Sequence, residues 1–455
     1  MQILETVNAF VWGIPTLLLM AGVGVYLTVR TRALQVRSFP KALSMFFQQL
    51  KKCSSRENGV SSFQALCTAL SATVGIGNIA GVAGAIAIGG PGSVFWMWIG
   101  AILGMITKFA EVTLCVHYRL QAPDGTYYGG PMYMIRKGLG GRLSCLAWVY
   151  AFFGVVAALG VGNATQINAC IAGFRDVLDL AGVAFERPYA ILISACLSLL
   201  VAVILSGGAK KIGSFSQWLV PFAAVGYLLL GIGVLLLRFD AIPHAFISII
   251  NGAFSPKAVT GGVIGSALIS ARVGFSRGVF TNEAGMGTAG IAHAGAVVKH
   301  PVEQGLMGIV EVFLDTLVIC TVTALVILTS GVTAVYGVDE GASLTNRAFC
   351  AVYGNWISIP ITFFLCCFAF ATMIGWGLYG LRCAQFLFGS IASRPFMLLQ
   401  FSASVLSVTL GTGTVWLLSD IVNGLMAFPN LLALWLLTPV FVKLIHEYYE
   451  RKGPL

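Results

Sequence analysis

The sequence contains few charged residues. Only 10% of its 455 residues are charged and 58% are hydrophobic, whereas a soluble domain carries about 25% charged residues. This composition excludes an ordinary soluble protein and indicates a chain that crosses a membrane many times. The eleven cysteines are scattered and include no CxxC pair, which argues against a disulfide framework. An HExxH metal centre is also absent, and we expect a protein that is not an enzyme and has no cofactor.

The excess of positive charge indicates how the chain is oriented in the membrane. The net charge of +10 could suggest binding to nucleic acid, but the lysines and arginines lie in loops between apolar segments. The expected partner is therefore a lipid bilayer, with no nucleic acid and no obligate protein partner. With the N-terminus outside, the inner loops hold twenty lysines and arginines, including Arg277, and the outer loops hold five. Since positive residues stay on the inner side, we predict an external N-terminus and a cytoplasmic C-terminus.

Eleven segments are apolar enough and long enough to span a bilayer, for which about 20 residues suffice. They cover residues 10–29, 62–88, 93–116, 143–172, 188–206, 213–237, 260–287, 305–331, 357–380, 396–412 and 415–442. The predicted fold is therefore an all-α polytopic membrane protein. Its predicted units are a first helix with a basic amphipathic loop (1–59), two five-helix repeats (60–238 and 256–443) and a cytoplasmic tail (444–455).

The second segment is a poor continuous helix. Gly75, Gly77, Gly81 and Gly84 crowd its centre around Asn78, and each glycine costs about 1 kcal/mol relative to alanine in a helix interior. Broken backbone is tolerated at membrane depth where protein buries it or where it lines a cavity. Its freed carbonyls can hold a cation, and its freed N–H groups can hold a carboxylate. The alternative is a face of small residues for close helix packing.

The seventh segment also contains glycine and polar residues near its middle, at Ser270, Arg272, Gly274 and Ser276. The second and seventh segments each open a run of five, and the two runs start on opposite sides of the membrane. This arrangement predicts two inverted five-helix repeats whose first helices are broken, with a binding site at their interface.

Several motifs resemble the alanine or glycine:cation symporter family. They read ATVGIGNIAGVAGAIAIGGPGSVFWMW, GMITKFAEVTL, DGTYYGGPMYMI, SRGVFTNEAGMGTAGIAHA, HPVEQGLMGIVEVFLDTLVICTVTALVIL and FAFATMIGWGLYG. The resemblance implies a leucine-transporter-type fold, sodium as the coupling ion, and alanine or glycine as substrate. Three positions depart from the family pattern, because Ile76, Ala371 and Leu381 replace the usual threonine, serine and glutamate.

The resemblance also implies roles for residues of the first break. The run VGIGN (74–78) resembles the unwound segment of the wider fold superfamily. By that match the implied sodium ligands are the carbonyls of Ser71, Thr73 and Val74 and the side-chain oxygen of Asn78. The N–H groups of Ile76 and Gly77 would face the substrate carboxylate. Thr372 is a further candidate sodium ligand.

Other candidates come from polar or bulky residues within the apolar segments. Gln166 could contact the substrate ammonium or bond a neighbouring helix. Ser270 and Phe275 belong to the second interruption, and Phe275 could simply be a packing wall. Met373 and Trp376 lie about one helical turn apart and could close the pocket or pack in the core.

Charged residues inside a membrane are functional candidates. Asp315 in mid-span could add negative charge near the ion. Lys108 and Glu111, three residues apart, are expected to form a structural pair near the inner end.

The sequence thus favours a sodium-driven symporter that imports small neutral amino acids by alternating access. We expect it in a bacterial-type inner membrane. Two alternatives remain open. In one, the transporter is coupled to protons through Asp315 or Glu111. In the other, a sodium symporter carries another neutral amino acid, such as glutamine or serine.

Overall fold

The computed structural model describes residues 2–51, 59–123, 125–180, 182–254, 267–335, 337–338, 341–409 and 412–452. Almost all of the regular structure in these residues is helical, which confirms the all-α polytopic prediction. Residues 255–266, which contain the predicted starts of the second repeat and of the seventh span, lie outside this description, as do residues 453–455 of the predicted tail.

The N-terminal part of the chain contains the first span, a surface segment and the first broken span. Its helices are α1 (Gln2–Val11), α2 (Ile14–Arg30), α3 (Leu34–Arg37), α4 (Phe39–Lys51), α5 (Ser62–Thr73), the 3₁₀ turn Ile76–Asn78, α6 (Ala80–Gly89) and α7 (Gly92–His117). A short antiparallel hairpin of β1 (Leu120–Gln121) and β2 (Tyr127–Tyr128) follows.

The middle of the chain completes the first repeat. Its helices are α8 (Pro131–Gly138), the 3₁₀ turn Gly141–Cys145, α9 (Leu146–Leu159), the π-helical turn Gly160–Ala164, α10 (Thr165–Leu180), α11 (Arg187–Leu205), α12 (Gly208–Leu237), the 3₁₀ turn Phe239–Ala241 and α13 (Ile242–Phe254).

The C-terminal part carries the second set of helices. They are α14 (Ala267–Asn282), α15 (Thr288–His293), α16 (Pro301–Val312), the π-helical segment Phe313–Cys320, α17 (Thr321–Thr329), α18 (Ala342–Tyr353), the 3₁₀ turn Asn355–Ile357, α19 (Ser358–Phe388), the 3₁₀ turn Ser390–Ala392, α20 (Ser393–Ser407) and α21 (Thr412–Lys452).

Among the described residues, eight helices are long and apolar enough to cross a membrane. The bent pair α5–α6 makes a ninth. Nine of the eleven predicted spans correspond to these helices. The predicted total of eleven is not confirmed, because α14 and α20 have only 16 and 15 described residues.

The broken pair α5–α6 lies inside the bundle. α5 packs against α12 and α19, whereas α6 packs against α14. Nearly every residue from Ser62 to Ala87 is buried. Small residues permit this close packing. At Gly375 of α19, for example, an added methyl carbon would lie 2.7 Å from Ser71 Oγ. The first break is therefore enclosed by protein, as broken backbone in a membrane must be.

The prediction for the position of the second interruption is wrong. α14 is continuous from Ala267 to Asn282, and the chain leaves the helix only at Glu283, before α15 begins at Thr288. Gly274 belongs to the predicted break, but it allows close packing instead, because an added Cβ there would overlap the carbonyl oxygen of Ser93.

Candidate functional site

The first break is a sharp bend of 57° between α5 and α6. The N–H of Gly75 would continue α5 if it bonded the carbonyl of Ser71, but it donates instead to Asn78 Oδ1 at 2.9 Å. The regular hydrogen bonding of the helix stops there. The carbonyl of Ser71 is thereby released from its helical partner, and it lies where the resemblance implies a cation ligand. The hydroxyls of Ser71 and Thr73 remain bonded to carbonyls within α5.

Asn78 joins this break to a buried carboxylate. Its Nδ2 donates to Asp315 Oδ1 at 2.6 Å, and more weakly to the Asp315 carbonyl at 3.3 Å. Asp315 lies in the π-helical segment, a distortion frequent at functional sites, and its second oxygen accepts from the hydroxyl of Thr316 at 2.8 Å. Within the described part of the chain, this fully buried carboxylate is bonded by neutral donors and forms no ion pair.

Two acceptors face the break from the other side. An added methyl carbon at Gly75 would lie 2.5 Å from Thr372 Oγ1 and 3.6 Å from Gln166 Oε1. Both oxygens are buried, and neither has a hydrogen-bond partner among the described residues. Such groups cost roughly 1–3 kcal/mol when left unsatisfied. This place between α5, α10 and α19 therefore suits a ligand that donates hydrogen bonds or carries positive charge.

The remaining residues of the first break are buried with Asn78. Val74, Ile76 and Gly77 have little or no exposed surface. The structure thus brings together Ser71, Thr73, Val74, Ile76, Gly77, Asn78, Gln166, Asp315 and Thr372 around one interruption. Their ligand roles stay predictions.

Ser270 and Phe275 lie elsewhere. The hydroxyl of Ser270 donates to the carbonyl of Gly89 at the end of α6, and the ring of Phe275 packs beside Gly100 of α7. The residues of α14 that adjoin the first break come later in the chain: an added methyl carbon at Gly77 would lie 3.4 Å from Thr281 and 3.5 Å from the ring of Phe280. Neither residue is predicted from the sequence, because the sequence pattern places the second interruption too early in the chain.

Met373 and Trp376 have different surroundings. Met373 packs with Ile374 and Leu378 in a separate apolar cluster, and its carbonyl accepts from Gln400 at 3.2 Å. Trp376 donates through Nε1 to Glu283 at 2.8 Å. Trp376 therefore connects α19 to the second break, and Met373 belongs to the packed core on the α20 side.

The second break is organised by two buried glutamates. Glu283 has a left-handed backbone (φ 54°) and accepts from Trp376 and from the hydroxyl of Thr288. Glu111 Oε1 accepts from the N–H groups of Gly285 and Gly287 at 2.8 and 3.0 Å. The carboxylate of Glu111 thus satisfies backbone donors that the interrupted helix exposes.

The expected pairing of Lys108 with Glu111 is wrong. Lys108 Nζ lies 3.3 Å from Glu311, which also contacts His293 at 2.9 Å. His293 contacts Gln304, and Gln304 bonds Ser62 at the start of α5. This buried chain of polar groups ties α5 to α7, α15 and α16.

A shorter chain of side chains joins the two breaks. The Thr316 hydroxyl that bonds Asp315 also accepts from Asn282 Nδ2 at 3.1 Å. Asn282 Oδ1 in turn accepts the N–H of Ala284, the second residue of the second break. A displacement of Asp315 would therefore disturb hydrogen bonds that lead to both breaks.

Two cavities lie on opposite sides of this site. One, of about 380 Å³, is lined by Gly81, Asp176, Arg277, Ser343 and Leu365 among others. The other, of about 680 Å³, is lined by Val60, Tyr128, Lys210, Leu378 and Arg382 among others. None of the described lining residues belongs to both cavities.

Thr372 lies between the two cavities along α19. At 1.5 Å per residue it is roughly 10 Å from both Leu365 and Leu378. The candidate site is thus buried near the middle of the bundle, between two openings.

The position of Arg277 changes the number of lysines and arginines assigned to each side of the membrane. The topology prediction places it in an inner loop, but it lies within α14 and lines the same cavity as Asp176. Moving Arg277 to the outer side gives nineteen lysines and arginines inside against six outside, so the predicted orientation is unchanged.

The run Gly274–Gly278 reads GxSxG, the pattern of a hydrolase nucleophile turn. Ser276 lies inside a continuous helix, however, and not on the strand-to-helix turn that this chemistry needs.

The described residues contain no cluster of three or more His, Cys, Asp or Glu side chains suited to a metal ion. A cation at the first break would therefore be held mainly by carbonyl, amide and hydroxyl oxygens with a single carboxylate. Such an oxygen set suits a hard cation.

Comparison with known proteins places these features in a family. Residues 1–453 match the model of the sodium:alanine symporter family. The chain is 40% identical to the sodium/alanine symporter AgcS of Methanococcus maripaludis, over 99% of this chain and 97% of that protein. It is 33% identical to the probable sodium/glutamine symporter GlnT of Bacillus subtilis, over 99% and 92% of the two chains.

The fold also resembles a solved transporter. The crystal structure of MhsT in complex with L-phenylalanine matches with a TM-score of 0.63 at 14% identity, covering 84% of this chain and 90% of that one. This likeness confirms the predicted leucine-transporter-type fold.

Proposed function

Since the chain belongs to the sodium:alanine symporter family, we propose that it is a sodium-driven symporter for small neutral amino acids, with alanine and glycine as its substrates. It is a multi-pass membrane transporter and not an enzyme. The observation that carries the proposal is the pair Asn78–Asp315 at the first break. Its buried carboxylate, bonded by neutral donors within the described residues, is suited to balance the charge of a sodium ion.

The sodium ion would bind among neutral oxygens close to this carboxylate. The candidates are the carbonyls of Ser71, Thr73 and Val74, the Asn78 and Asp315 side chains, and Thr372. Neutral oxygens bind sodium weakly enough for release, which transport requires. The close approach of α5 to α19 at Gly375 supports a shared contribution of both helices.

The substrate would bind beside Gly75. Its carboxylate would accept from the N–H groups of Ile76 and Gly77, and its ammonium would donate to Gln166 Oε1, whose hydrogen-bonding capacity is unused among the described residues. The tight surroundings of Gly75 favour a small side chain. Ile76, which is larger than the usual threonine, reduces the room further if its side chain points into the pocket.

Transport would proceed by alternating access between the two cavities. The chain Ser62–Gln304–His293–Glu311 holds α5 against the helices on one side of the site. On the other side, Thr345 of α18 donates to the carbonyl of Ile79 at 3.3 Å. Opening either side requires those contacts to break, so the two sides can open in turn. We further propose an inner-membrane location with the N-terminus outside.

Uptake into proteoliposomes tests this function. Labelled alanine should accumulate under an inward sodium gradient at fixed pH, and replacing external sodium by potassium should abolish accumulation. Glycine should compete, whereas leucine and glutamate should not. Uptake driven by a proton gradient without sodium would favour the proton-coupled alternative. Strong competition by glutamine would favour the second alternative, which the resemblance to GlnT supports.

The orientation has its own test. In a cysteine-free background, Glu186→Cys should react with an impermeant maleimide added outside, and Lys210→Cys should not. Both positions are exposed: Glu186 directly precedes α11, and Lys210 lies in the first turn of α12, beyond the other end of α11. The reverse labelling pattern would overturn the orientation.

A further inference from the structure

A basic cavity that shares no described residue with the proposed transport site lies where the turn after α2 meets the last part of α21. It has a volume of about 440 Å³ and is lined by Arg30, Thr31, Arg32, Leu34, Arg37, Val442, Ile445, His446 and Tyr449. This volume falls within the roughly 300–1,000 Å³ that is usual for small-ligand sites. The first candidate span ends at Arg30 and the last runs to Arg451. The cavity therefore opens at a membrane surface.

Three arginine side chains line this cavity. Arg30, Arg32 and Arg37 are exposed, and none makes an ion pair or a side-chain hydrogen bond within the part of the chain that the structure describes. None of the lining residues that the structure describes is acidic, and Glu447 of α21 lies 3.9 Å from Lys443. Arginines so placed repel one another unless an anion binds, and the planar guanidinium matches phosphate oxygens with two parallel hydrogen bonds.

The turn that presents these arginines has an unfavourable backbone. Arg32 and Ala33 both have φ of 55°, in the left-handed region. The N–H groups of Arg32 and Ala33 bond the carbonyls of Val29 and Thr28, a helix ending in which glycine normally takes the left-handed position. An arginine at this position strains the backbone, and such strain is retained most often where function needs the side chain.

The lining of the cavity also includes buried apolar side chains and a tyrosine that is held in place. Leu34 and Ile445 are 3% and 7% exposed. The hydroxyls of Ser38 and Tyr449 lie 2.8 Å apart, and Lys41 Nζ lies 4.3 Å from the centre of the Tyr449 ring. A site lined by both arginines and aliphatic side chains suits an anion that is attached to an apolar body.

We propose that this cavity binds the phosphate of an anionic phospholipid, with the headgroup against Arg30, Arg32 and Arg37 and the glycerol backbone against Leu34 and Ile445. Basic pockets between helices at a membrane surface recognise lipid phosphates in this way. A lipid bound here would join the N-terminal helices α2 and α3 to α21. This site is independent of the proposed sodium and substrate sites.

Native mass spectrometry of the purified, delipidated transporter tests the proposal. The probes are dioctanoyl phosphatidylglycerol, dioctanoyl phosphatidylcholine and inorganic phosphate. The wild-type protein should bind the phosphatidylglycerol at least tenfold more tightly than the other two probes. The variant Arg32→Gln/Arg37→Gln should weaken that binding by about 30-fold, because each arginine near an anionic lipid contributes roughly a factor of five.

Two further variants separate recognition from folding. Arg142→Gln/Arg394→Gln removes the same charge from exposed positions outside the cavity and should leave the affinity within twofold. Arg32→Gly suits the left-handed backbone, so it should melt at or above the wild-type temperature and still bind phosphatidylglycerol more weakly.

Four results would overturn the proposal. Equal binding of phosphatidylcholine would mean that the charge is not recognised. Equal binding of inorganic phosphate would assign the site to a soluble anion. An unchanged affinity in both Arg32 variants, or an equal loss in the control variant, would remove these arginines from lipid binding.

Discussion

The side-chain amide of Asn78 donates to the carboxylate of Asp315 at 2.6 Å, across 237 residues of sequence. This bond joins the broken span α5–α6 to the π-helical segment, in the interior of the bundle. Asn78 also accepts a hydrogen bond from the N–H of Gly75. One side chain therefore interrupts the helix and also connects the break to the carboxylate of Asp315. The ion site that we propose is centred on this pair.

Removal of the charge at Asp315 should weaken sodium binding. The substitution Asp315→Asn keeps the shape of the side chain but leaves a neutral group near the ion. A lost interaction with a charged partner costs roughly 1.5–3 kcal/mol, so the sodium concentration for half-maximal alanine binding should rise about 10- to 150-fold. Asp176→Asn is the matched control, because it neutralises a half-buried carboxylate that lines the cavity of about 380 Å³. It should leave the half-maximal sodium concentration unchanged. A sodium midpoint that stays at the wild-type value in folded Asp315→Asn would exclude Asp315 from the ion site.

Thr372→Val tests the unused hydroxyl. The two side chains have nearly the same shape, and the Thr372 hydroxyl has no hydrogen-bond partner among the described residues. We therefore expect an unchanged melting temperature in the absence of ligands, together with a roughly tenfold loss of sodium or alanine affinity. Thr362→Val, on the same helix, serves as control because its hydroxyl faces Gly173. A variant that binds both ligands normally would show that this hydroxyl has no ligand role.

Gly75→Ala should change the preference among substrates. Gly75 has an extended backbone (φ −136°) that alanine can adopt, but the added methyl group would lie 2.5 Å from Thr372 Oγ1 and near Gln166. The smaller site should retain glycine uptake better than alanine uptake. Gly81→Ala is the control, because its methyl carbon would lie at an ordinary 3.8 Å from Thr281. Equal loss of glycine and alanine uptake, with normal sodium binding, would contradict a substrate site beside Gly75.

The sequence predicted the first break well because its signals are local. Gly75 and Gly77 weaken the helix, and Asn78, three residues after Gly75, can bond the freed N–H. The second break was misplaced since glycine and serine also serve close packing. Gly274 packs against Ser93, and the hydroxyl of Ser270 donates to the carbonyl of Gly89. These residue types also occur at helix breaks, so the sequence pattern predicts an interruption where the helix is continuous. The true break carries Gly285 and Gly287, whose left-handed backbones are invisible in composition alone.

Contacts between side chains that are distant in the chain could not be predicted from the sequence. Lys108 and Glu111 are close in the chain and suggested a pair, but their partners are 174 or more residues away: Glu311 for Lys108, and the N–H groups of Gly285 and Gly287 for Glu111. Only the folded bundle decides such contacts. Asp315 was identified as a candidate because a carboxylate in a span is costly, yet its bond to Asn78 could not be inferred from spacing.

The most direct test of the ion site is alanine binding to purified Asn78→Ala over a sodium titration. Asn163→Ala is the control, because Asn163 is an equally buried asparagine whose side chain bonds Gln400 and Ser404 of α20. If Asn78 holds sodium, the sodium midpoint should rise roughly 10- to 150-fold in Asn78→Ala. High sodium should then restore most of the alanine affinity, since coupling between two ligands is reciprocal. Asn163→Ala should lower stability without moving the midpoint. An unchanged sodium midpoint in well-folded Asn78→Ala would contradict the proposed site.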